Sequence, residues 1–288
     1  MSDADSSYPR PYNGLSPAPR NFSLTLDAPL VLRLSLSNSK VNQWSDLMTY
    51  DFHRVLSHIS VDPDVAVVIL TGEGEKAFCA GLDVTSGGLV ELIEDDPARS
   101  AWKLKRHIDE FQASLTMLEG CGKPVIAAVH GVAYGLGVDL MSACDIRYAD
   151  QGARFSIREV HIGLAADIGS LQRFPRIVGN DSVARELALT AREFGAEEAH
   201  RIGFVGKVTK GGRGGVIAEA LATAKLIAAK SPVAVRATKA SLLYSRDHSV
   251  REGLDHIGWV NSSMLQNKEM PEAFAAALSK KEMRWGKL

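Results

Sequence analysis

Two short runs constrain this chain more than anything else in it. "VAVVILTG", residues 65–72, and "KPVIAAVHG", residues 123–131, are nearly unbroken apolar stretches. A strand with one wet face alternates apolar and polar side chains; a short run without alternation reads as a strand covered on both faces. Each run leads into a glycine-bearing turn, "TGEGEKAFCAGLDV" after the first and "HGVAYGLGVDL" within and beyond the second. Glycine turns let backbone N–H groups face a ligand closely. The second turn opens a predicted helix from Gly135 to Ala143, whose first amides attract negative charge. Two such turns, each behind a buried strand, can form a two-donor oxyanion hole. A dinucleotide fingerprint fails on detail: "GLGVDL" lacks the third glycine, and Asp139 would meet a pyrophosphate with like charge.

The rest of the chain fills in around these strands. "FSLTLDAPLVLRLSLS" reads as two strands about the turn "DAP". From Trp44 to Ile59 apolar residues recur at helical spacing, Leu47, Val55 and Ile59 among them. "DIRYA" reads as a further strand. From Asp181 onward the pattern is mostly helical, broken by "GFVGKV" as a short strand, and "GGRGG" at 211–215 reads as a hinge. The expected organisation is a flexible tail over residues 1–20, an α/β core over 21–210 and a helical region over 211–288.

Composition narrows the function. Lys and Arg total 33 against 34 for Asp and Glu, and no basic run is interleaved with aromatics, which weighs against nucleic acid. No apolar stretch reaches the length of a membrane span. The three cysteines, Cys79, Cys121 and Cys144, are irregularly spaced and read as free thiols in a reducing compartment. The histidines form no metal-ligand spacing, so no metal is expected. The first twenty residues lack the patterns of secretory and mitochondrial leaders.

Three carboxylates stand out. Asp139 lies inside the apolar run "GVDLM", and Glu159 and Asp167 flank "VHIGLAA". An apolar lining raises carboxyl pKa values and lets one acid stay protonated while another ionises. The structural alternative is that each caps a helix or pairs with Arg147, Arg158 or Arg173. Asp145, in "ACDIRY", reads as structural.

"KAFCAGLDV", "KPVIAAVHGVAYGLGVDLMSACDIRYA" and "FSIREVHIGLAADIGSLQRFPRIVG" together resemble the crotonase, or enoyl-CoA hydratase/isomerase, superfamily. The resemblance runs from about Asn21 to the C-terminal helices. It implies a crotonase-like spiral of ββα units with a helical C-terminal trimerisation region, assembly as a trimer or a hexamer, and an acyl-CoA thioester substrate. No separate cofactor is implied, since CoA is part of the substrate. By position, the two oxyanion amides are those of Leu82 and Leu136, the latter standing where the family commonly has Gly. Lys40, Val41, Ala80, Gly81 and Gly135 fall at positions that line the substrate and CoA site.

Hydratases of the family carry two catalytic carboxylates, at the positions of Asp139 and Glu159. The third acid, Asp167, within "REVHIGLAADIGSLQR", and "KSPVAVRATKASLLYSRDHSV" resemble the Δ3,5-Δ2,4-dienoyl-CoA isomerase subgroup. That resemblance makes Glu159 the base at C2, Asp167 the acid at C6 and Asp139 an auxiliary; exchange of the first two roles stays open. A 2-enoyl-CoA hydratase and a non-catalytic acyl-CoA-binding or RNA-binding relative are the alternatives. The final "GKL" resembles the Ser-Lys-Leu peroxisomal address, implying an import receptor as partner and a peroxisomal location, with cytoplasm or mitochondrion as the alternative.

Overall fold

Both apolar runs are central strands of one large sheet. The computed structural model describes residues 7–83, 92–267, 269–279, 281, 283 and 285–288. Its strands are β1 Arg10–Pro11, β2 Phe22–Ala28, β3 Val31–Leu36, β4 Val67–Gly72, β5 Ala77–Cys79, β6 Val125–Val129, β7 Val132–Tyr134, β8 Ile146–Asp150, β9 Arg154–Ser156, β10 Phe194–Gly195 and β11 Lys207–Thr209. Its helices are α1 Asp46–Val61, α2 Pro97–Gly120, α3 Leu136–Ala143, α4 Ser170–Val178, α5 Asp181–Thr190, α6 Ala196–Arg201, α7 Gly212–Ala228, α8 Pro232–Asp247, α9 Val250–Met264 and α10 Glu269–Leu278. The large sheet runs β1-β2-β3-β4-β6-β8-β11, and a small second sheet runs β10-β9-β7-β5.

The order of elements repeats one unit three times. A strand of the large sheet is followed by a strand of the small sheet and then a helix: β4-β5-α2, β6-β7-α3 and β8-β9-α4. The short strands β5 and β7 lie between each apolar run and its glycine turn, where sequence reading expected a direct step. They are only three residues long, too short to leave a periodic signal. Gly131 marks where the chain passes from β6 to β7. A Cβ there would stand 2.1 Å from the Lys76 carbonyl oxygen, and its φ of 59° lies in the left-handed region.

The missing alternation in the two runs has the expected cause. Val68, Leu70, Val125, Ala127 and Val129 face a core shared with α1 and α2. Val67, Ile69, Ile126 and Ala128 face the other side, where Val216, Ile217, Ala220 and Ala224 of α7 cover them. So 211–215, expected as a hinge, is instead the N-cap and first turn of a helix packed on the sheet. Helix propensity is weak in "GGRGG", but the apolar stripe behind it supplies the packing that propensity lacks.

Three other readings shift. Leu47 is 72% exposed, and the buried face of α1 is Met48, Phe52, Val55, Leu56 and Ile59. Trp44 precedes the helix; its ring packs in a cluster with Phe22, Phe52 and Phe111. Part of the segment expected as a flexible tail is packed. Arg10–Pro11 pairs with β2, the Tyr12 hydroxyl donates to Asp62, and Tyr8, Tyr12 and Leu15 lie against the core. Residues 1–6 lie outside the described residues.

Helix α8 is tied to this core by the buried Lys239. Its ammonium donates to the carbonyls of Leu118 and Lys123 and to Asp145 Oδ2, which also accepts the Val125 N–H. Asp145 is therefore structural. The three cysteines are free and buried. Among the described residues no helix is long and apolar enough to cross a membrane.

Candidate active site

Strands β5, β7 and β9 are parallel neighbours in the small sheet, so their C-terminal ends meet at one edge. Just beyond those ends come Leu82, Leu136 and Glu159. Ligands of open α/β sheets bind outside the carboxyl ends of strands for the same reason: the loops converge there. A cavity of about 500 Å³ lies at this edge. Ala80, Gly81, Leu82, Gly135, Leu136, Asp139, Glu159 and Asp167 all line it.

Two backbone donors there have no partner among the described residues. The Gly81 carbonyl accepts from Trp44 N–H at 2.9 Å, and Asp83 N–H donates back to the Trp44 carbonyl at 2.8 Å. A trans peptide points its N–H opposite to its carbonyl, so the Leu82 N–H faces away from Trp44. The Gly135 carbonyl accepts from Val138 N–H at 2.8 Å, inside the first turn of α3. The Leu136 N–H therefore points out of the helix N-terminus, where no intrahelical acceptor exists. Neither N–H has an acceptor among the described residues. Gly81 and Gly135 hold φ of 99° and 50°, conformations that favour glycine.

The three acids are unlike one another. Asp139, on α3, is 1% exposed, and burial, with Glu159 as a further cause, pushes its carboxyl up to about 7. Ser170 opposes that shift with two donated hydrogen bonds, N–H at 2.5 Å and Oγ–H at 2.7 Å. Glu159 starts the 3₁₀ turn Glu159–Ile162 and is half-buried, and its Oε2 is buried without a partner among the described residues. Burial raises its carboxyl, and the nearby Asp167 charge raises it further. Its Oε1 lies 3.1 Å from where a Cβ on Gly135 would be.

Asp167 departs from the expectation that all three acids sit in apolar surroundings: it is exposed. Its neighbours Ala166 and Ile168 are buried at 6% and 7% and anchor the loop in the core. The residue between them turns outward and lines the cavity. None of the three acids pairs with Arg147, Arg158 or Arg173 among the described residues. Arg147 donates to the Phe204 and Cys144 carbonyls, Arg158 faces Glu193, and Arg173 is held by Glu119. Asp139 does serve a helix end, because Ser170 is the first residue of α4.

Known proteins match this chain over most of its length. The family model described as enoyl-CoA hydratase/isomerase covers residues 30–287. The chain belongs to the enoyl-CoA hydratase/isomerase family. It is 42% identical over 257 residues to the mitochondrial Δ(3,5)-Δ(2,4)-dienoyl-CoA isomerase of Homo sapiens, covering 88% of this chain and 78% of that protein. It is 45% identical over 241 residues to the peroxisomal enzyme of the same name from Arabidopsis thaliana, covering 83% and 86%. The crystal structure of an enoyl-CoA hydratase from Bacillus anthracis superposes with a TM-score of 0.84 at 28% identity, covering 93% of this chain and 99% of that one.

Within this family frame, Lys40 and Val41 stand apart from the cavity lining. Lys40 is exposed, and the Val41 carbonyl accepts the Ala80 N–H at 3.0 Å, bracing the first donor turn. Asn42 is buried and donates to the Glu73 and Ala77 carbonyls, stapling the β4-β5 connection. Sequence reasoning missed Tyr134, Arg158 and Ile168, which also line the cavity. Arg158 lies over the Tyr134 ring, 4.3 Å from its centroid. Its place next to Glu159 was the one available signal.

Proposed function

We propose that the chain is a Δ3,5-Δ2,4-dienoyl-CoA isomerase of unsaturated fatty acid β-oxidation. The carrying observation is a third carboxylate, Asp167, on the same cavity as Glu159 and the two unpartnered amides. A hydration site needs two acids around one water; a proton shift across a diene needs acids at two separated carbons.

The thioester oxygen sits against the Leu82 and Leu136 N–H groups. Glu159 takes a proton from C2, next to the thioester carbon. The position of its Oε1 beside Gly135 supports this assignment. The electron pair moves so that the 3,5-double bonds become 2,4-double bonds, and C6 receives a proton from Asp167. Charge that develops on the thioester oxygen is stabilised by both amides, without reorganisation of the backbone. After product leaves, Asp167 regains a proton from solvent and Glu159 loses one. The chemistry uses no separate cofactor.

The test is a spectrophotometric assay with 3,5-octadienoyl-CoA beside 2-octenoyl-CoA. The isomerase converts the first into a 2,4-dienoyl thioester, a longer chromophore. Rapid hydration of 2-octenoyl-CoA with the diene untouched would replace this reading with the hydratase one.

The chain self-associates as a trimer or hexamer. Leu242, Val250, Leu254 and Trp259 on α8 and α9 are all more than half exposed, which supports this. Ile217 of α7 takes no part, since it is covered by the chain's own sheet. A sedimentation mass of one chain at micromolar concentration would overturn the assembly. A peroxisomal location rests on Gly286–Leu288, and fusing those three residues to the end of a reporter tests it; a reporter that stays outside peroxisomes argues against it.

A further inference from the structure

Asp139 draws its support from a single residue outside the cavity lining. Among the described residues, both hydrogen bonds its carboxylate accepts come from Ser170, and both reach the same oxygen, Oδ1. The two residues are 1% and 0% exposed. We propose that Ser170 is a positioning residue: by tying Asp139 of α3 to the first turn of α4, it fixes the loop carrying Asp167 against the helix whose first amide is Leu136. The inference rests on the isomerase reading of the site.

The topology explains why such a tie matters. Helix α3 supplies Leu136 at its start and Asp139 one turn later. The Asp167 loop runs between Gly163 and Gly169, at φ of 77° and 135°, and Ser170 follows directly. Two side-chain bonds also hold this loop. Arg173 Nη1 donates to the Ile168 carbonyl at 3.3 Å, and Gln112 Nε2 donates to the Asp167 carbonyl at 2.5 Å. Those bonds fix the loop to α4 and α2. Among the described residues, the hydrogen-bonded link from the start of α4 to α3 is the Asp139–Ser170 pair. A misplacement of about 1 Å between reacting groups costs on the order of 10²-fold in rate, so the relative position of α3 and this loop is consequential.

The same pair acts on protonation. The groups facing Asp139 are Glu159 at the start of the 3₁₀ turn, Arg173 on α4 and the Cys79 thiol on β5; Glu119 on α2 partners Arg173, and Asp167 faces Glu159. Burial and Glu159 favour a proton on Asp139, while Ser170 and Arg173 favour its loss. An ionised Asp139 in turn favours proton uptake by Glu159, because the interaction between two sites is mutual. Ser170 thus reaches the strength of the C2 base through Asp139.

The test compares wild type with Ser170→Ala, Ser170→Thr and Asp139→Asn. It reads the pH–rate profile on 3,5-octadienoyl-CoA and amide hydrogen exchange over residues 163–169. Ser170→Ala should lower kcat about tenfold with KM within about twofold, and move the acid limb down by at most about one pH unit, because a more readily protonated Asp139 no longer raises Glu159. Its loop amides should exchange faster, and Ser170→Thr should restore the limb. Asp139→Asn keeps an oxygen acceptor for both Ser170 donors. Its loop should exchange as in wild type, while the Asp139 contribution to the limb vanishes. A limb unmoved in Ser170→Ala, even with lowered thermal stability, overturns the proposal. If that variant does not fold, a loop that exchanges faster in Asp139→Asn overturns it instead. A wild-type enzyme that leaves the diene unchanged would defeat the isomerase reading, and the exchange measurements would still judge the tie.

Discussion

Gly137 lies directly against the carbonyl of Cys79: a Cβ on Gly137 would stand 2.7 Å from that oxygen. Gly137 belongs to the first turn of α3, and Cys79 ends β5 three residues before Leu82. This close approach therefore sets the spacing between the two oxyanion amides.

Gly137→Ala should push α3 away from β5 and separate the Leu82 and Leu136 donors. Loss of one well-placed oxyanion donor costs about 10²–10³ in kcat. Overpacking of a tight core position costs about 1–3 kcal/mol of stability. A folded Gly137→Ala enzyme with wild-type kcat would show that the contact does not control the amide spacing.

Glu119 bridges α2 to two arginines. It accepts from Arg173 at 3.0 Å and from Arg246 on α8, and these partners hold its carboxyl below the ordinary range despite burial. Its contribution is present above the ordinary glutamate range and is lost as pH falls through the lowered value. Breaking such a pair leaves buried charge uncompensated, at a cost of about 3–5 kcal/mol. Glu119→Gln should lower the urea midpoint at neutral pH, with the gap from wild type closing on acidification. An equal midpoint at neutral pH would count against the bridge.

The large sheet was legible because burial on both faces leaves an unbroken apolar run, and Val67–Leu70 and Val125–Val129 carry that mark plainly. The donor turns were legible through Gly81 and Gly135, whose conformations glycine favours. Other features leave no local trace. Strands β5 and β7 are held by pairing with each other rather than by their own pattern. The burial of Ile217 depends on a sheet face built from residues more than sixty positions away, which no local pattern in α7 reveals. Asp167 and Asp139 looked alike in sequence, each an acid among apolar neighbours. Only the path of the backbone turns one inward under Ser170 and the other to the cavity mouth.

Asp139 makes the fold pH-sensitive in an unusual direction. Its carboxyl is pushed up to about 7, so the native chain holds a proton that the unfolded chain has lost. Stability from this group is fullest at or below the ordinary aspartate range and falls as pH rises from about 4 towards 7. The full penalty above that window is of the order of 4 kcal/mol by linkage, before relaxation reduces it. Asp139→Asn removes the titration. Its urea midpoint should gain on wild type as pH rises from about 5 to about 8. A gap independent of pH would mean that the buried carboxyl does not titrate in this window.

Asp167→Asn separates isomerase from hydratase most sharply. The substitution keeps the shape of the side chain and removes its ionisable proton. If Asp167 serves C6, isomerisation of 3,5-octadienoyl-CoA should fall by about 10²–10⁴-fold, the usual contribution of one general acid or base. That corresponds to roughly 3–5 kcal/mol of transition-state stabilisation. Exchange at C2 should survive, because Glu159 and the Leu82 and Leu136 amides remain. In deuterated water the variant should therefore label C2 of recovered substrate without forming the 2,4-diene. Glu159→Gln should lose both label and product. Near wild-type isomerisation by Asp167→Asn would remove Asp167 from the reaction and leave Asp139 and Glu159 as the working pair.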